Sequence, residues 1–285
     1  MPTYAVTGAT GRLGRLVIGQ LLDSGVPATE IAAVVRSPEK AADLAARGVE
    51  IRKANYDDPS TLPGAVAGVR RLLLISGDTP GQRVPQHTAV IDAAKLAGVE
   101  RLVYTSILKA DTTTNPLAPE HKATEEVLAA SGLTYTVLRN GWYTENYTDQ
   151  LPQYLGSGTI LGATGGSKIS AATRADYAAA AVAALTREET GNAVYELGGD
   201  PFTFDELAEA VTEVTGTPVV HRDLSTAELA SALENVGLDA GTAGFVAALD
   251  NSIAIGELVT DSDDLGRLIG RPSTPLRDAI RAAQA

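Results

Sequence analysis

Residues 4–14 of this chain read Tyr4-Ala5-Val6-Thr7-Gly8-Ala9-Thr10-Gly11-Arg12-Leu13-Gly14. The apolar run at 4–6 predicts a buried strand, and the apolar spacing after it predicts a helix over 13–22. Gly8 permits a tight turn, Gly11 lets a pyrophosphate approach the backbone, and Gly14 lets the helix pack closely on the strand. The unpaired N–H groups and positive dipole of the helix N-terminus suit a diphosphate. A glycine-rich turn without a ligand is the alternative, but this position between a first strand and a first helix favours dinucleotide binding.

The segments that follow this turn alternate between short apolar runs and helical segments. The predicted strands are compact and bounded, as buried parallel strands are, and they cover residues 4–6, 31–35, 49–53, 72–75, 101–104 and 135–138. Helices are expected over 82–97 and 118–130 and after the cap-and-proline pairs Ser37-Pro38 and Asp58-Pro59. This alternation predicts an α/β fold of the Rossmann type, with a doubly wound parallel sheet covered by helices on both faces.

The pattern changes after about residue 156, where helices dominate. Capping boxes at Thr203-Phe204-Asp205-Glu206 and Ser225-Thr226-Ala227-Glu228 predict two helices, and Thr274-Pro275 predicts a last one. We therefore expect a dinucleotide-binding domain over 1–155 and a smaller, mostly helical substrate-binding region over 156–285, from which some segments return to the first domain. Because ligands of open α/β sheets lie beyond the carboxyl ends of the strands, the second region is expected to cover that crevice.

The composition excludes several classes of protein. The chain has 285 residues, 23 Lys and Arg against 35 Asp and Glu, a formal net charge of −12 and no cysteine. The absence of cysteine excludes disulfides, thiolate nucleophiles and Cys-ligated metal centres. The acidic balance argues against nucleic-acid binding, which depends on Lys and Arg. The N-terminus does not resemble a signal peptide, and no apolar run approaches the roughly 20 residues of a membrane span, so we expect a cytoplasmic protein that does not bind membranes.

The end of the second predicted strand indicates which nicotinamide cofactor binds. An acidic residue there would bind the ribose 2′-hydroxyl of NAD, but the sequence reads Val34-Val35-Arg36-Ser37 and its next acid is Glu39. Arg36 can pair with a 2′-phosphate through charged hydrogen bonds. A solvated arginine before a helix is the alternative. The sequence therefore favours NADPH (NADP+) as the cofactor.

Several motifs are distinctive when they are taken together. They are the glycine turn at 7–14, Val35-Arg36, Leu72-Leu73-Leu74-Ile75-Ser76, Gly81-Gln82-Arg83, Leu138-Arg139-Asn140-Gly141-Trp142-Tyr143-Thr144-Glu145-Asn146-Tyr147, Ala171-Ala172-Thr173-Arg174-Ala175-Asp176-Tyr177 and 261–270. Together they resemble the NmrA-like atypical short-chain dehydrogenases/reductases, and more narrowly the bacterial zinc-independent NADPH:quinone reductases. The resemblance covers residues 4 to about 276, and its most specific part is the run at 139–147.

The resemblance implies hydride transfer from NADPH to a quinone, and it assigns the site residues. The cofactor-binding residues that it implies are Gly8, Ala9, Thr10, Gly11, Arg12, Leu13 and Gly14 at the diphosphate, Arg36 at the 2′-phosphate, Leu74, Ile75 and Ser76 along the cofactor, and Gly141, Trp142, Tyr143, Thr144, Glu145 and Asn146 at the nicotinamide end. Asn146 and Tyr143 are the expected catalytic residues: an amide for a quinone oxygen or for the nicotinamide amide, and an aromatic wall for a flat ring. The alternatives are that Trp142 and Tyr143 only pack beneath the cofactor and that Asn146 is a loop amide without a role.

The usual proton-relay motif of short-chain dehydrogenases, Tyr-x-x-x-Lys, is absent. None of the nine tyrosines has a lysine four positions later, and Lys109 lies five positions after Tyr104. His121 or Lys122 could donate a proton or hold a ribose, although an exposed Lys122–Glu126 pair on a helix face is the simpler interpretation. No two histidines have metal-ligand spacing, so no metal site is expected.

Two classes of function fit these observations. An NADPH-dependent quinone reductase needs mainly to orient two rings, because the cofactor carries the hard step and protons can come from solvent. A non-catalytic NmrA-like redox sensor that binds NADP(H) would use the same glycines and would explain the missing relay. We favour the reductase, and reduction of another conjugated small molecule is a third alternative. The sequence does not decide the oligomeric state, and a homodimer stays open.

Overall fold

A computed structural model describes residues 2–284 of the chain. Its main sheet has seven parallel strands in the order β3-β2-β1-β4-β5-β6-β8. The strands in chain order are β1 Tyr4–Val6, β2 Ile31–Val35, β3 Glu50–Lys53, β4 Arg71–Leu74, β5 Arg101–Ile107, β6 Thr134–Asn140, β7 Thr159–Gly162, β8 Ala193–Leu197 and β9 Val220–Asp223. The strand order reverses between β1 and β4, which is where ligands of doubly wound sheets bind. The predicted Rossmann-type fold is confirmed.

Helices cover both faces of this sheet and make up most of the C-terminal part. In chain order they are α1 Arg12–Asp23, α2 Ala42–Ala46, α3 Leu62–Val66, α4 Arg83–Leu96, α5 Ala118–Ala130, α6 Glu145–Thr148, α7 Leu151–Ser157, α8 Arg174–Thr186, α9 Phe204–Thr215, α10 Thr226–Asn235, α11 Ala240–Ala254, α12 Asp264–Ile269 and α13 Leu276–Ala283. Short 3-10 turns precede β2, α2 and α3. Across residues 2–284, no helix is both long and apolar enough to span a membrane.

Two apolar layers sandwich the main sheet. On one face α1 and α8 pack side by side over buried residues such as Val17, Ile18 and Leu185. On the other face α3, α4 and α5 cover a layer that includes Leu72, Ile91 and Tyr104. Strands buried on both sides lack the alternation of a half-exposed sheet, which is why they read as continuous apolar runs.

A third apolar cluster holds the C-terminal part together. It joins α6, α7, α9 and α13 with the small parallel sheet formed by β7 and β9, around Tyr147, Phe204 and Ile280. α8 and β8 follow β7 in the chain but belong to the main sheet and its helical layer. The boundary expected at residue 155 stays a prediction, because the chain passes back and forth between the two parts.

The capping chemistry decides where several helices begin and end. Both predicted capping boxes form, at Thr203 with Glu206 and at Ser225 with Glu228. Asp58 accepts the Ser60 N–H as predicted, but the cap expected at Ser37 is wrong. The backbone after Ser37 makes only a 3-10 turn over Pro38–Ala41, and α2 begins after it.

Candidate active site

A crevice of about 420 Å³ lies over the carboxyl ends of β1 and β4, at the reversal of strand order. Thr7 fastens the two strand ends there: its Oγ1 donates to the Leu73 carbonyl at 3.1 Å and accepts the Ile75 N–H at 3.0 Å. The crevice is lined by Gly8, Thr10, Gly11, Arg12, Leu13, Gly14, Val34, Val35, Arg36, Lys40, Ala54, Asn55, Tyr56, Asp57, Ile75, Ser76, Gly77, Asp78, Thr79 and Gln86. The fold therefore gathers the glycine turn, the end of β2 and the end of β4 around one space.

The glycine turn has the steric properties that its spacing predicts. Gly8 adopts a left-handed φ of +59°, which side chains with a Cβ rarely occupy. A Cβ on Gly14 would lie 2.4 Å from the Gly8 carbonyl oxygen and 2.8 Å from the Ala9 Cα. α1 can therefore approach β1 only with glycine at position 14. Gly11 lies at the open end of the turn, where a Cβ would meet the Gly8 oxygen at 3.1 Å.

The N-terminus of α1 points its backbone donors into this crevice. Within residues 2–284, no side chain caps this helix end and no acid lies in its first turn. Arg15 holds the turn from outside, since its Nε donates to the Thr10 carbonyl at 3.2 Å and its guanidinium pairs with Asp43. Free N–H groups and a positive dipole fit an anionic diphosphate.

The far end of the crevice carries two cations, Arg36 and Lys40. Arg36 is exposed and makes no ion pair within the described part of the chain. The sequence indicated Arg36 alone. Lys40 also lines the crevice because it lies in the 3-10 turn that follows β2. The exposed Asp57, which also lines the crevice, accepts a hydrogen bond from Gln86 at 2.7 Å.

The wall formed by the end of β4 is held from beneath by buried polar groups. Ile75 and Ser76 line the crevice, whereas Leu74 and Ala9, which were also expected there, are fully buried and lie outside its lining. The Ser76 N–H donates to Thr105 Oγ1 and the Gly77 N–H to His87 Nε2, both at 2.9 Å.

His87 is fixed in one tautomer by its two neighbours. Its Nε2 accepts from Gly77, so Nδ1 carries the proton and donates to Thr124 Oγ1 at 3.0 Å. Burial, with a smaller effect of the nearby Arg83 cation, lowers the pKa of His87 to about 4. The imidazole is therefore neutral at physiological pH. This residue was missed by sequence reasoning, because nothing in residues 83–96 indicates a contact with residue 77.

The loop after β6 contains the residues expected at the nicotinamide end. A Cβ on Gly141 would lie 2.9 Å from the carbonyl oxygens of Leu197 and Ser170, so glycine lets the loop pass between β8 and the segment before α8. Trp142 and Tyr143 follow and are half-buried. The Ala172 N–H donates to the Trp142 carbonyl at 3.0 Å, and the Thr144 N–H donates to the Ala172 carbonyl at 2.9 Å.

Side chains of this loop contact the start of α8. The Glu145 carboxylate accepts the Arg174 N–H at 2.8 and 3.0 Å, and the Arg174 guanidinium reaches Asn146 Oδ1 at 3.4 Å. Its Cζ lies 5.1 Å from the Tyr143 ring centroid. Burial raises the pKa of the Tyr143 phenol, which therefore stays protonated at neutral pH.

The loop lies beside the crevice rather than within its lining. Thr144 lines a second cavity of about 340 Å³ together with Phe202 and Glu206. The link to the glycine turn is ionic: Asp149, just beyond the loop, pairs with Arg12 and lies 3.7 Å from Arg174. The structure thus brings the two predicted halves of the site together through one shared carboxylate.

The groups considered for proton transfer do not face the crevice. Lys122 is exposed on α5. His121 is buried, and its Nδ1 lies 2.8 Å from the Tyr104 hydroxyl. Burial lowers the pKa of His121 to about 3 and raises that of Tyr104, so neither exchanges protons near neutrality. Asp176 is fully buried and holds Thr274 and Arg271, which is a structural role.

No group of three or more His, Asp or Glu side chains in the described residues could hold a metal ion. The crevice and the loop after β6 together offer backbone donors, the cations Arg12, Arg36, Lys40 and Arg174, an amide and aromatic rings. These groups can bind and orient a dinucleotide and a flat acceptor. They offer no nucleophile activated by a base.

Comparisons with known proteins agree with this geometry. The family described as NAD(P)H-binding matches residues 8–188. Quinone oxidoreductase 2 of Escherichia coli (strain K12) is 48% identical over 277 residues, which cover 97% of this chain and 96% of that protein. An NmrA-like family domain-containing oxidoreductase of Aspergillus flavus is 31% identical and covers 98% of this chain and 94% of its own length. The crystal structure of an NADPH-dependent quinone oxidoreductase from Escherichia coli, complexed with NADPH, matches with a TM-score of 0.95 and 47% identity over 99% of this chain and all of that one.

Proposed function

Because this chain belongs to the NmrA-like family of NAD(P)H-binding oxidoreductases, we infer that it is an NADPH-dependent reductase that transfers hydride to a quinone. The observation that carries this conclusion is the similarity to a quinone oxidoreductase over 97% of the chain. The crevice adds a physical reason: it combines an uncapped helix N-terminus with cations at the place where a 2′-phosphate would lie.

The residues around the crevice fit a bound NADPH. The turn from Gly8 to Gly14 would hold the diphosphate on backbone N–H groups, as the position of the α1 N-terminus suggests. Arg36 would pair with the 2′-phosphate, and Lys40 lies close enough to the same end to assist. Ile75 and Ser76 would lie along the cofactor towards the loop after β6. These assignments are proposals about individual residues.

The chain's own part in the reaction is to bind and orient. When bound, NADPH would supply the hydride, which carries both electrons of the reduction. Asn146 would donate a hydrogen bond to a quinone oxygen, and Tyr143 with Trp142 would offer aromatic surface to its ring. Because Tyr104 and His121 are buried away from the crevice and their pKa values keep them from exchanging protons, the reduced oxygen takes its proton from water.

The test is the loss of NADPH absorbance with a simple benzoquinone or naphthoquinone as acceptor. We expect loss that depends on both the protein and the quinone. Binding of NADPH without loss for any quinone would favour the redox sensor, the alternative that the similarity to enzymes argues against. Other conjugated acceptors in the same assay test the breadth of the substrate class.

Three further features stay predictions. Light scattering of the protein as it elutes from a size-exclusion column tests for a homodimer. Cell fractionation tests the expected cytoplasmic location. The division into residues 1–155 and 156–285 is tested by limited proteolysis. Because α8 and β8 lie on the main sheet, we expect cleavage near residue 155 to leave the two fragments associated.

A further inference from the structure

Arg174, the first residue of α8, directs its guanidinium into the loop after β6. The side chain is 14% exposed. Its Cζ lies 5.1 Å from the Tyr143 ring centroid, and its Nη2 lies 3.4 Å from Asn146 Oδ1. Tyr143 and Asn146 are two of the three side chains that we propose to meet the quinone.

The backbone that carries this guanidinium is firmly held. Thr173 caps α8, and the Glu145 carboxylate accepts the Arg174 N–H. Gln20 of α1 donates to the Ala175 carbonyl at 3.0 Å, which ties α8 to the helix that begins at the glycine turn. Arg174 therefore extends from a fixed base and can hold the loop in one place.

The surroundings of Arg174 differ from those of Arg139, another arginine with little exposure. Arg139 is surrounded by three carboxylates, those of Glu125, Asp111 and Glu196, at 2.7 to 2.9 Å. Four hydrogen bonds to these carboxylates use four of the five N–H donors of the guanidinium and explain Arg139 as a structural element. Arg174 instead has a 3.7 Å contact with Asp149, which Arg12 also uses, and its remaining donors face Asn146 and Tyr143.

An arginine decides the orientation of an amide that it contacts. A guanidinium has only donors, so Asn146 must present its oxygen to Arg174 and turn its NH2 group away. Within residues 2–284, that NH2 group donates to no other group. A quinone oxygen can only accept hydrogen bonds, and it gains negative charge as hydride arrives, so an amide held as a donor is the orientation that helps.

We propose that Arg174 is a positioning residue of the quinone site: it fixes Asn146 as a hydrogen-bond donor and holds the Tyr143 ring beside it. This inference rests on the proposed quinone reductase function. Arg174 acts through the two side chains and needs no contact with the quinone. Its removal should leave cofactor binding at the glycine turn nearly unchanged.

The experiment measures kcat and KM for a benzoquinone at saturating NADPH in wild type, R174Q, R174K and N146A. R174Q should lower kcat about ten-fold, because misplaced contacts in a reacting complex cost this much or more, and the Kd for NADPH should change less than about three-fold. R174K keeps the positive charge and some N–H donors, although not the planar guanidinium, and should lose less. The control is R281Q, since Arg281 is exposed on α13 and pairs only with Asp278 in the described residues.

Two variants separate positioning from a general structural effect. The double variant N146A/R174Q should lose less kcat than the product of the two single losses, because Arg174 acts in part through Asn146 and otherwise through Tyr143. N146D keeps an oxygen for Arg174 but has no NH2 group, so it should lose as much activity as N146A. Wild-type kcat in R174Q or in N146D, or full additivity in the double variant, would overturn the proposal.

Trp142, the only tryptophan in the sequence, gives a readout that does not need turnover. Quenching of its fluorescence by a naphthoquinone measures acceptor binding to the NADP+ complex. R174Q and N146D should weaken that binding, and R281Q should not. If wild type binds quinone but does not reduce it, the proposed function fails while the binding data still test Arg174. If wild type neither binds nor reduces it, both are overturned. Should R174Q not fold, R174K and N146D carry the same test.

Discussion

The turn after β1 owes its shape to residues 8–14, whereas the loop after β6 owes its shape to segments far along the chain. In the turn, Gly8 has φ +59° and Gly14 packs against the Gly8 oxygen, so the atoms that constrain one another are neighbours in sequence. In the loop, Gly141 fits between Leu197 and Ser170, and Glu145 binds the Arg174 N–H. The turn is therefore shaped by contacts between sequence neighbours (the local half of the site), and the loop by contacts between distant segments (the tertiary half).

The difference has a functional consequence. Backbone donors at a helix N-terminus bind any diphosphate, so the local half can serve every enzyme that shares the turn. The tertiary half uses side chains, and in the proposed function these would determine which acceptor meets the nicotinamide. We therefore expect substitutions in the turn to affect folding and NADPH binding, and substitutions in the loop to affect turnover.

The largest effect is expected for G14A. The added Cβ would lie 2.4 Å from the Gly8 oxygen and 2.8 Å from the Ala9 Cα, and backbone atoms cannot move aside cheaply. Overpacking of this kind should lower the free energy of unfolding by about 3 kcal/mol or more and abolish NADPH binding. Urea denaturation and NADPH titration measure the two effects.

G19A is the matched control for this variant. Gly19 lies in the same helix with nothing within 4 Å of an added Cβ, so alanine there should stabilise the protein by about 0.5–1 kcal/mol. Equal stabilities of G14A and G19A would show that the turn is less constrained than its geometry implies.

R36A tests the role of the cofactor-binding half of the site. Loss of a charged hydrogen bond to the 2′-phosphate should weaken NADPH binding by about 1.5–3 kcal/mol and leave NADH binding nearly unchanged. kcat at saturating NADPH should stay close to that of wild type, since Arg36 lies away from the loop after β6. Equal weakening for both cofactors would contradict the role given to Arg36.

N146A should have the opposite effect to R36A, because it should change kcat and not NADPH binding. Removing the amide should lower kcat for quinone about ten-fold, equivalent to about 1.4 kcal/mol, while the Kd for NADPH changes little. Steady-state kinetics and fluorescence titration separate the two parameters. An unchanged kcat would remove Asn146 from the site and would leave the loop without its expected polar contact.

The smallest expected effect is a loss of folding stability at low pH. Neutral His87 holds the Gly77 N–H, and its pKa in the folded protein is lowered to about 4, whereas a free histidine titrates near 6.5. The unfolded chain therefore binds the proton first, so stability is complete above about pH 6.5 and is lost as the pH falls towards 4.

H87Q tests this effect, because its amide oxygen can accept from Gly77 and it does not titrate. Between pH 7 and about pH 5.7 we expect wild type to lose about 1 kcal/mol more unfolding free energy than H87Q. Thermal or urea unfolding at several pH values measures this. Parallel pH profiles would mean that His87 does not contribute to the acid sensitivity.

Much of the fold could be predicted because each element carried its own signal. β2 has the bounds predicted from its apolar run, and α5 has the predicted bounds from its glycine stop. β7, four residues long with only Ile160 and Gly162 buried, had no comparable pattern and was missed. It pairs with β9, and such a short strand is specified by its partner more than by its own residues.

The same contrast applies to the site. Arg36 was predicted because the end of β2 is defined by sequence alone. Lys40, His87 and Arg174 were not assigned to the site, since each reaches it through folding of segments that are distant or irregular. The resemblance indicated the residues at 141–146, but it did not show that Arg174 orients one of them.

The sequence by itself determined the parallel sheet, the glycine turn and the expected preference for NADPH over NADH, because these depend on periodicity and on residues that are neighbours in sequence. Only the tertiary structure decided how the loop after β6 is held, which tautomer His87 adopts and which carboxylate joins Arg12 to Arg174. Side-chain contacts between segments that are separate in sequence are set by packing, and packing depends on the whole fold.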